Sequence, residues 1–188
     1  SSLIHDIFNM IKAKAEAKKL ELVIHVDEKL PSKLLGDDVR IRQVLVNLLN
    51  NAVKYTKEGQ VILTVGGKTE GRKVIFDFSV EDTGIGMTKE ELEQNLGTIC
   101  KSGSQLFKNE SADDKNAEDI DIIGQFGVGF YSAFMVADRI EVLSRKAGDS
   151  QAWKWSSEGK GEFDISPAAK ENYGTEITLF LNDEGKEF

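Results

Sequence analysis

The stretch from residue 38 to residue 55, DVRIRQVLVNLLNNAVKY, constrains the fold more than any other part of the chain. At about 100° per residue, Arg40, Gln43, Asn47, Asn50, Asn51 and Lys54 fall within an arc of about 100°. Val39, Ile41, Val44, Leu45, Val46, Leu48, Leu49, Ala52 and Val53 occupy nearly all the rest. Such a helix is largely buried, with one polar stripe left over. Two readings of the stripe stay open on the helix alone: a solvent-facing surface, or a row of side chains kept for a ligand. Exposed stripes are normally built from Glu, Lys and Gln, whereas Asn costs a helix up to ~0.7 kcal/mol per residue relative to Ala. Three asparagines within five positions suggest that their amides are needed. An Asn carbonyl is a neutral hard-oxygen ligand suited to Mg²⁺ that phosphates also hold. Lys54, one turn beyond Asn51, adds a phosphate-directed charge from the same face.

Around this helix the chain alternates readable elements. Residues 3–19 place Leu3, Ile4, Ile7, Phe8 and Ile11 at helical spacing. LELVIHV at 20–26 reads as a strand, and Pro31 and Gly36 punctuate the loop before Asp37 or Asp38, either of which can cap the long helix. Strands are expected at 60–65 and 73–80, joined by a hairpin through GGKTEG. The run TKEE at 88–91 is a capping box for a helix carrying Leu92 and Leu96. Residues 101–121 are polar, weakly periodic and long for a loop, as disordered segments and lids over sites are. A Gly-rich turn at 124–129 feeds an apolar helix, FYSAFMVA. RIEVLSR, QAWKWSS, GEFDIS and TEITLFL read as closing strands. Helices in the first half with strands throughout give an α/β (α+β) two-layer sandwich, a mixed sheet covered on one face by helices.

At 188 residues the chain is expected to form one domain, 1–188, large enough for a core without disulfide or metal staples. The net charge of −8 argues against a nucleic-acid backbone as main partner, while leaving room for a nucleotide bound through a local site and a metal ion. The lone Cys100 excludes an intramolecular disulfide. No apolar run reaches the ~18–20 residues that span a bilayer. The expectation is a cytoplasmic protein without membrane or nucleic-acid partners. No His/Cys metal cluster and no Ser/His/Asp grouping is evident, and His5 and His25 read as surface or strand residues.

Two glycine motifs carry the remaining chemistry. DTGIG at 82–86 follows a strand. A carboxylate there can accept from an exocyclic amine, and glycines let backbone approach a planar ring, although Asp-Thr-Gly turns are also commonplace. GQFGVGF, from Gly124 through Gln125, Phe126, Gly127, Val128 and Gly129 to Phe130, precedes a helix at once. Backbone N–H groups at a helix N-terminus form an anion site, and a tight strand-to-helix turn is the plainer alternative. The segment is neither a Walker A loop, lacking the Lys-Ser/Thr ending, nor a dinucleotide fingerprint, lacking the spacing and a βαβ context.

NLLNNAVKY, DTGIGM, IGQFGVGFYS and GTEITL together, in that order, resemble the GHKL nucleotide-binding superfamily, and the resemblance divides. Residues 1–81, above all LPSKLLGDDVRIRQVLVNLLNNAVKYTKEG, look like the ATP-binding domain of a bacterial sensor histidine kinase. Residues 82–188 look like the N-terminal domain of the ninety-kilodalton heat-shock chaperones, through DTGIGMTKEELEQNLGTICKSGS, IGQFGVGFYSAFMVADRIEV and GTEITLFL. The shared DTGIG is a natural crossover, and the divided resemblance implies an engineered chimera of the two families.

The resemblance implies that Asn51 binds Mg²⁺ with Asn47 assisting, and that Lys54 faces the phosphates of ATP or ADP. It implies that Asp82 takes the adenine amino group, supported by Thr175 through water, with Gly86 and Met87 lining the ring. By the same resemblance Asn95, Lys101, Ser102 and Gly103 would form the wall and hinge of a lid at about 97–123, and backbone groups of Gln125 to Phe130 would hold phosphates. Adenine-pocket chaperone inhibitors are implied as further ligands, and a monomer or weak dimer is expected. In the chaperones a glutamate stands where this chain has Asn47, and an amide cannot take a proton from water. General-base help is typically worth 10²–10⁴-fold, so little or no hydrolysis is expected, at most a weak ATPase. Histidine autokinase activity is not expected, because no phospho-acceptor domain is recognisable. The alternatives are a slow chaperone-type ATPase and a fold-transplant scaffold with a vestigial site.

Overall fold

The computed structural model describes residues 2–30, 38–70, 73–97 and 128–181. Seven strands form one sheet: β1 (Glu21–Val26), β2 (Gln60–Glu70), β3 (Lys73–Asp82), β4 (Ala137–Arg145), β5 (Ala152–Ser157), β6 (Asp164–Ala168) and β7 (Gly174–Leu181). Their order is β1-β2-β3-β7-β4-β5-β6, with β1 parallel to β2 and the other neighbours antiparallel. This is the mixed, mostly antiparallel sheet expected from the sequence. The last strand, β7, lies between β3 and β4 and so joins the two parts of the sheet.

Alternation along the strands sends one set of side chains to a single apolar face. Val61, Leu63, Val65, Phe76, Phe78, Val80, Ile140, Val142, Trp155 and Leu179 are all buried there. The helices α1 (Ser2–Ala17) and α2 (Asp38–Tyr55) pack on each other and into the same core. Ile7, Ile11 and Ala15 come from α1, and Ile41, Val44, Leu45, Leu48, Leu49, Ala52 and Val53 come from α2. Each fully buried Leu, Ile or Phe contributes about 1.5–3 kcal/mol by leaving water. Val39, on the apolar side of the wheel, is nevertheless exposed because it lies in the first turn, at the end of the helix.

A cation closes the other end of α2. Lys18 Nζ donates to the carbonyl oxygens of Val53 at 2.6 Å, Lys54 at 2.8 Å and Thr56 at 2.9 Å. These carbonyls lack intrahelical donors, and a positive charge also opposes the negative end of the helix dipole. The end of the helix is thereby held in place.

Past β3, the capping box forms as its sequence predicts. The Thr88 hydroxyl accepts from the Glu91 N–H and the Glu91 carboxylate from the Thr88 N–H, opening α3 (Lys89–Leu92). Lys146, on the β4–β5 connection, pairs with Glu91, and this contact more than the Thr88 N–H holds the Glu91 carboxyl below its usual range. A π-helical turn, Glu93–Gly97, continues α3 and buries Leu92 and Leu96.

Three expectations are corrected. GGKTEG is not the hairpin turn; β2 runs through it to Glu70. Gly66 and Gly67 serve close packing instead, because a Cβ would come 2.7 Å from Asp77 Oδ2 at the first and 2.9 Å from the Ile75 carbonyl oxygen at the second. The helix expected over FYSAFMVA forms, but as a 3₁₀ helix over Val128–Met135, and it ends early because Ala137 already belongs to β4. The tighter winding sets the buried Ala133 and Val136 three apart on one side, and Val136 N–H donates to the Ala133 carbonyl. The strand expected over GEFDIS begins later, at Asp164, and runs through Pro167 to Ala168. A proline is tolerated there because β6 is an edge strand.

Candidate functional site

At one end of the sheet three neighbouring strands align polar side chains on the helix-covered face. Asp82, the last residue of β3, stands opposite Thr175 of β7, and Thr175 stands opposite Ser144 of β4. Thr175 and Ser144 are buried, and their hydroxyl oxygens are 2.9 Å apart. Ser144 Oγ also accepts from the Met87 N–H at 2.8 Å and lies 3.2 Å from the Gly174 carbonyl oxygen. One hydroxyl thus ties the DTGIGM turn to both strands. Asn95 of the π-helical turn reaches Met87 Sδ at 3.8 Å. Asp82, Met87, Asn95 and Thr175, singled out in the sequence, are therefore linked through Ser144 and the ladder.

The Asp82 carboxylate is partly sunk in this end of the core. Burial pushes its pKa up to about 6 from the ordinary 3.8, offset in part by the Gly84 and Thr175 backbone groups and by Lys170, and aided by Glu81. The Gly84 N–H donates to Oδ1 at 2.8 Å. Lys170 is itself almost buried and ion-paired with Glu81 on the opposite face of β3. A half-buried carboxylate with few donors is suited to accepting from a ligand amine.

The turn around Asp82 is fixed by packing. Thr83 Oγ1 accepts from Gln60 N–H at 3.0 Å and lies 3.1 Å from the Glu58 carbonyl oxygen, fastening the turn to the start of β2. Gly86 has φ +69°, and a Cβ there would come 1.9 Å from the Arg145 carbonyl oxygen. The close approach of the β4–β5 connection therefore requires this glycine, whatever else it lines. Gly174, at φ +120°, meets the Asp82 carbonyl in the same way.

The end of α2 abuts this turn. The Tyr55 carbonyl oxygen and the Thr56 hydroxyl both lie within 4 Å of the place a Gly84 side chain would occupy. Asn51 and Asn47, one and two turns before this end, are half-buried, whereas Lys54 is exposed with its Nζ 5.3 Å from the Tyr55 ring centre. The stripe does not act as one face: Asn50 Oδ1 accepts from Lys14 of α1 at 2.8 Å. Among the described residues no group of three or more His, Cys, Asp or Glu side chains could hold a metal ion. The amides of Asn47 and Asn51 would suit a Mg²⁺ carried mainly by phosphates and water.

Lys101, Ser102, Gly103, Gly124, Gln125, Phe126 and Gly127, with nearly all of the expected lid, lie outside the described residues. The backbone of Val128, Gly129 and Phe130 opens the 3₁₀ helix. Ser144, Thr56 and Lys18 do not stand out as site residues in the sequence. Ser144 carried a signal, since the alternation Ile140, Val142, Ser144 puts a hydroxyl on the buried face. A further groove, lined by Arg139, Ser157, Lys160 and Phe163, lies toward the opposite end of β5 and contains none of these residues. No helix among the described residues is long and apolar enough to cross a membrane.

Residues 36–185 match the family model described as histidine kinase-, DNA gyrase B-, and HSP90-like ATPase. The chain is also similar to chaperone protein HtpG of Methylobacterium sp. (strain 4-46), 54% identical over 116 residues, covering 62% of this chain and 19% of that protein. With HtpG of Methylorubrum populi the identity is 40% over 179 residues, 90% of this chain and 28% of the relative. With HtpG of Clostridium botulinum (strain Hall) it is 41% over 186 residues, 93% and 28%. The chain thus spans less than a third of the length of these relatives. The mixed seven-stranded sheet, the polar row at its end and the match over residues 36–185 lead to one conclusion: the chain belongs to the histidine kinase-, DNA gyrase B-, and HSP90-like ATPase family, as an ATP-binding module.

Proposed function

We propose that this chain is a single domain, 1–188, that binds ADP or ATP with Mg²⁺ and hydrolyses ATP little or not at all. The observation that carries the reading is the Asp82–Thr175–Ser144 row, with a carboxylate of raised pKa beside the end of α2. In this reading Asp82 accepts the adenine amine, Thr175 supports it through water, and Gly86 and Met87 line the ring. Asn51, assisted by Asn47, holds the Mg²⁺ that the phosphates bring, and Lys54 adds charge nearby. Asn95 belongs to the wall that Lys101, Ser102 and Gly103 continue, and the backbone from Gly124 to Phe130 takes phosphate oxygens. The cation supplies neutralisation of phosphate charge; the protein supplies position.

Asn47 decides the expected turnover. A chain with an amide where the chaperones place a carboxylate has no base for the attacking water. The same position is asparagine in the histidine kinases, and this supports an origin of residues 1–81 in a kinase and of 82–188 in a chaperone. A second reading, a slow chaperone-type ATPase, is favoured by the similarity to HtpG over up to 93% of the chain. Adenine-pocket chaperone inhibitors are proposed ligands in either reading, since Met87, Asn95 and Thr175 come from the chaperone-like part.

Thermal unfolding with ADP and Mg²⁺ tests the proposal. Ligand at about 100 times Kd stabilises by about 2.7 kcal/mol, worth several degrees for a domain of this size. The wild type should show that rise and Asp82→Asn should not; an equal rise in both, or none in the wild type, rejects the site. Phosphate release separates the two readings. Near-background release that Asn47→Glu raises supports the binding module, whereas steady release by the wild type supports the ATPase.

A further inference from the structure

Thr56 follows the last residue of α2 and extends its apolar side, three and four positions beyond the buried Val53 and Ala52. It is fully buried, and its N–H continues the helix by donating to the Ala52 carbonyl at 3.0 Å. Its hydroxyl has no hydrogen-bond partner among the described residues. A buried hydroxyl left unpaired is costly, and a valine of the same shape would avoid the cost.

Three oxygens border the space beside Gly84. A Cβ on that glycine would come 2.7 Å from Asp82 Oδ1, 3.3 Å from the Tyr55 carbonyl oxygen and 3.6 Å from Thr56 Oγ1. Gly84 is buried and carries no side chain, so these three oxygens surround one point with no side chain between them. A carboxylate and a carbonyl only accept, whereas a hydroxyl also donates. The complementary ligand donates twice and accepts once. Water has that valence, and buried waters typically make about three such bonds.

We propose that Thr56 is a positioning residue for Asp82, donating to a buried water that in turn donates to Asp82 Oδ1 and to the Tyr55 carbonyl. The Gly84 N–H holds the same oxygen, so the carboxylate is fixed from the turn and from the end of α2. The water site stands on geometry; its bearing on ligand binding rests on the reading that Asp82 accepts the adenine amine. Other charged groups facing this corner are Glu81 and Lys170, which act on Asp82, and Lys18, whose Nζ donates to the Thr56 carbonyl at 2.9 Å. Through the water the hydroxyl favours the ionised carboxylate, so its loss should move the titration of Asp82 upward.

The test is a ¹³C NMR titration of the Asp82 carboxyl in ligand-free wild type, Thr56→Val and Thr56→Ser, with ADP affinity measured on the same proteins. Thr56→Val should raise the Asp82 midpoint by about one pH unit and weaken ADP binding severalfold at neutral pH, while Thr56→Ser stays close to wild type. Thr56→Ala replaces the valine variant if that protein does not fold. An unchanged Asp82 midpoint together with a more stable Thr56→Val protein overturns the proposal, because the hydroxyl is then only an unpaired core group. If the wild type binds no ADP, the adenine reading falls, and the Asp82 midpoint still decides the role of Thr56.

Discussion

Asp82 is held in a place that disfavours its charge. Its pKa of about 6 in the fold, against 3.8 unfolded, means that the native state binds more protons between those values. Stability should therefore fall as pH rises through that window, by up to about 3 kcal/mol at neutral pH, since one pKa unit is worth about 1.4 kcal/mol. Asp82→Asn removes the charge and keeps the shape. It should raise the midpoint of urea unfolding at pH 7, with little change at pH 3.5; an equal effect at both pH values would contradict the burial argument. At Gly86 the constraint is steric. Gly86→Ala needs a positive φ and meets the Arg145 carbonyl, and should cost about 3 kcal/mol or more by chemical denaturation. A near-neutral result would mean that the β4–β5 connection yields easily.

At the scale of elements, α2 is the pivot, with its end anchored by Lys18 and abutting the Asp82 turn. Lys18→Met keeps the aliphatic stem and removes the donors. It should lower stability by about 1 kcal/mol in denaturant titration, because the cap is charged but largely exposed. This helix was legible in the sequence because its 3.6-residue period runs through all of it. The capping box at Thr88 and the strand ending in Asp82 were legible for the same reason: their determinants are local. The 3₁₀ geometry of Val128–Met135 and the strand through Gly66 and Gly67 were not. There the deciding neighbours, Asp77, Ile75 and the core around Ala133, are set by tertiary contacts that outweigh the usual reading of glycine and of an apolar run. Thr56 and Ser144 escaped notice because a hydroxyl acquires its role from partners on other elements.

For the whole molecule, the β3–β7 ladder is where the parts before and after DTGIG meet, and Asp82 opposite Thr175 is its last pair. In the proposed reading the ATP site draws α2 from one side of that ladder and β7 with the glycine segment from the other. Of these, α2, β7 and the Asp82 turn are described, and the segment from Gly124 to Gly127 is not. The most direct test is a crystal structure with ADP and Mg²⁺. The adenine amino nitrogen should lie at about 2.7–3.2 Å from an Asp82 carboxylate oxygen, and Asn51 Oδ1 at about 2.0–2.1 Å from Mg²⁺. Nucleotide bound elsewhere, or with its ring remote from Asp82, would contradict the proposed reading.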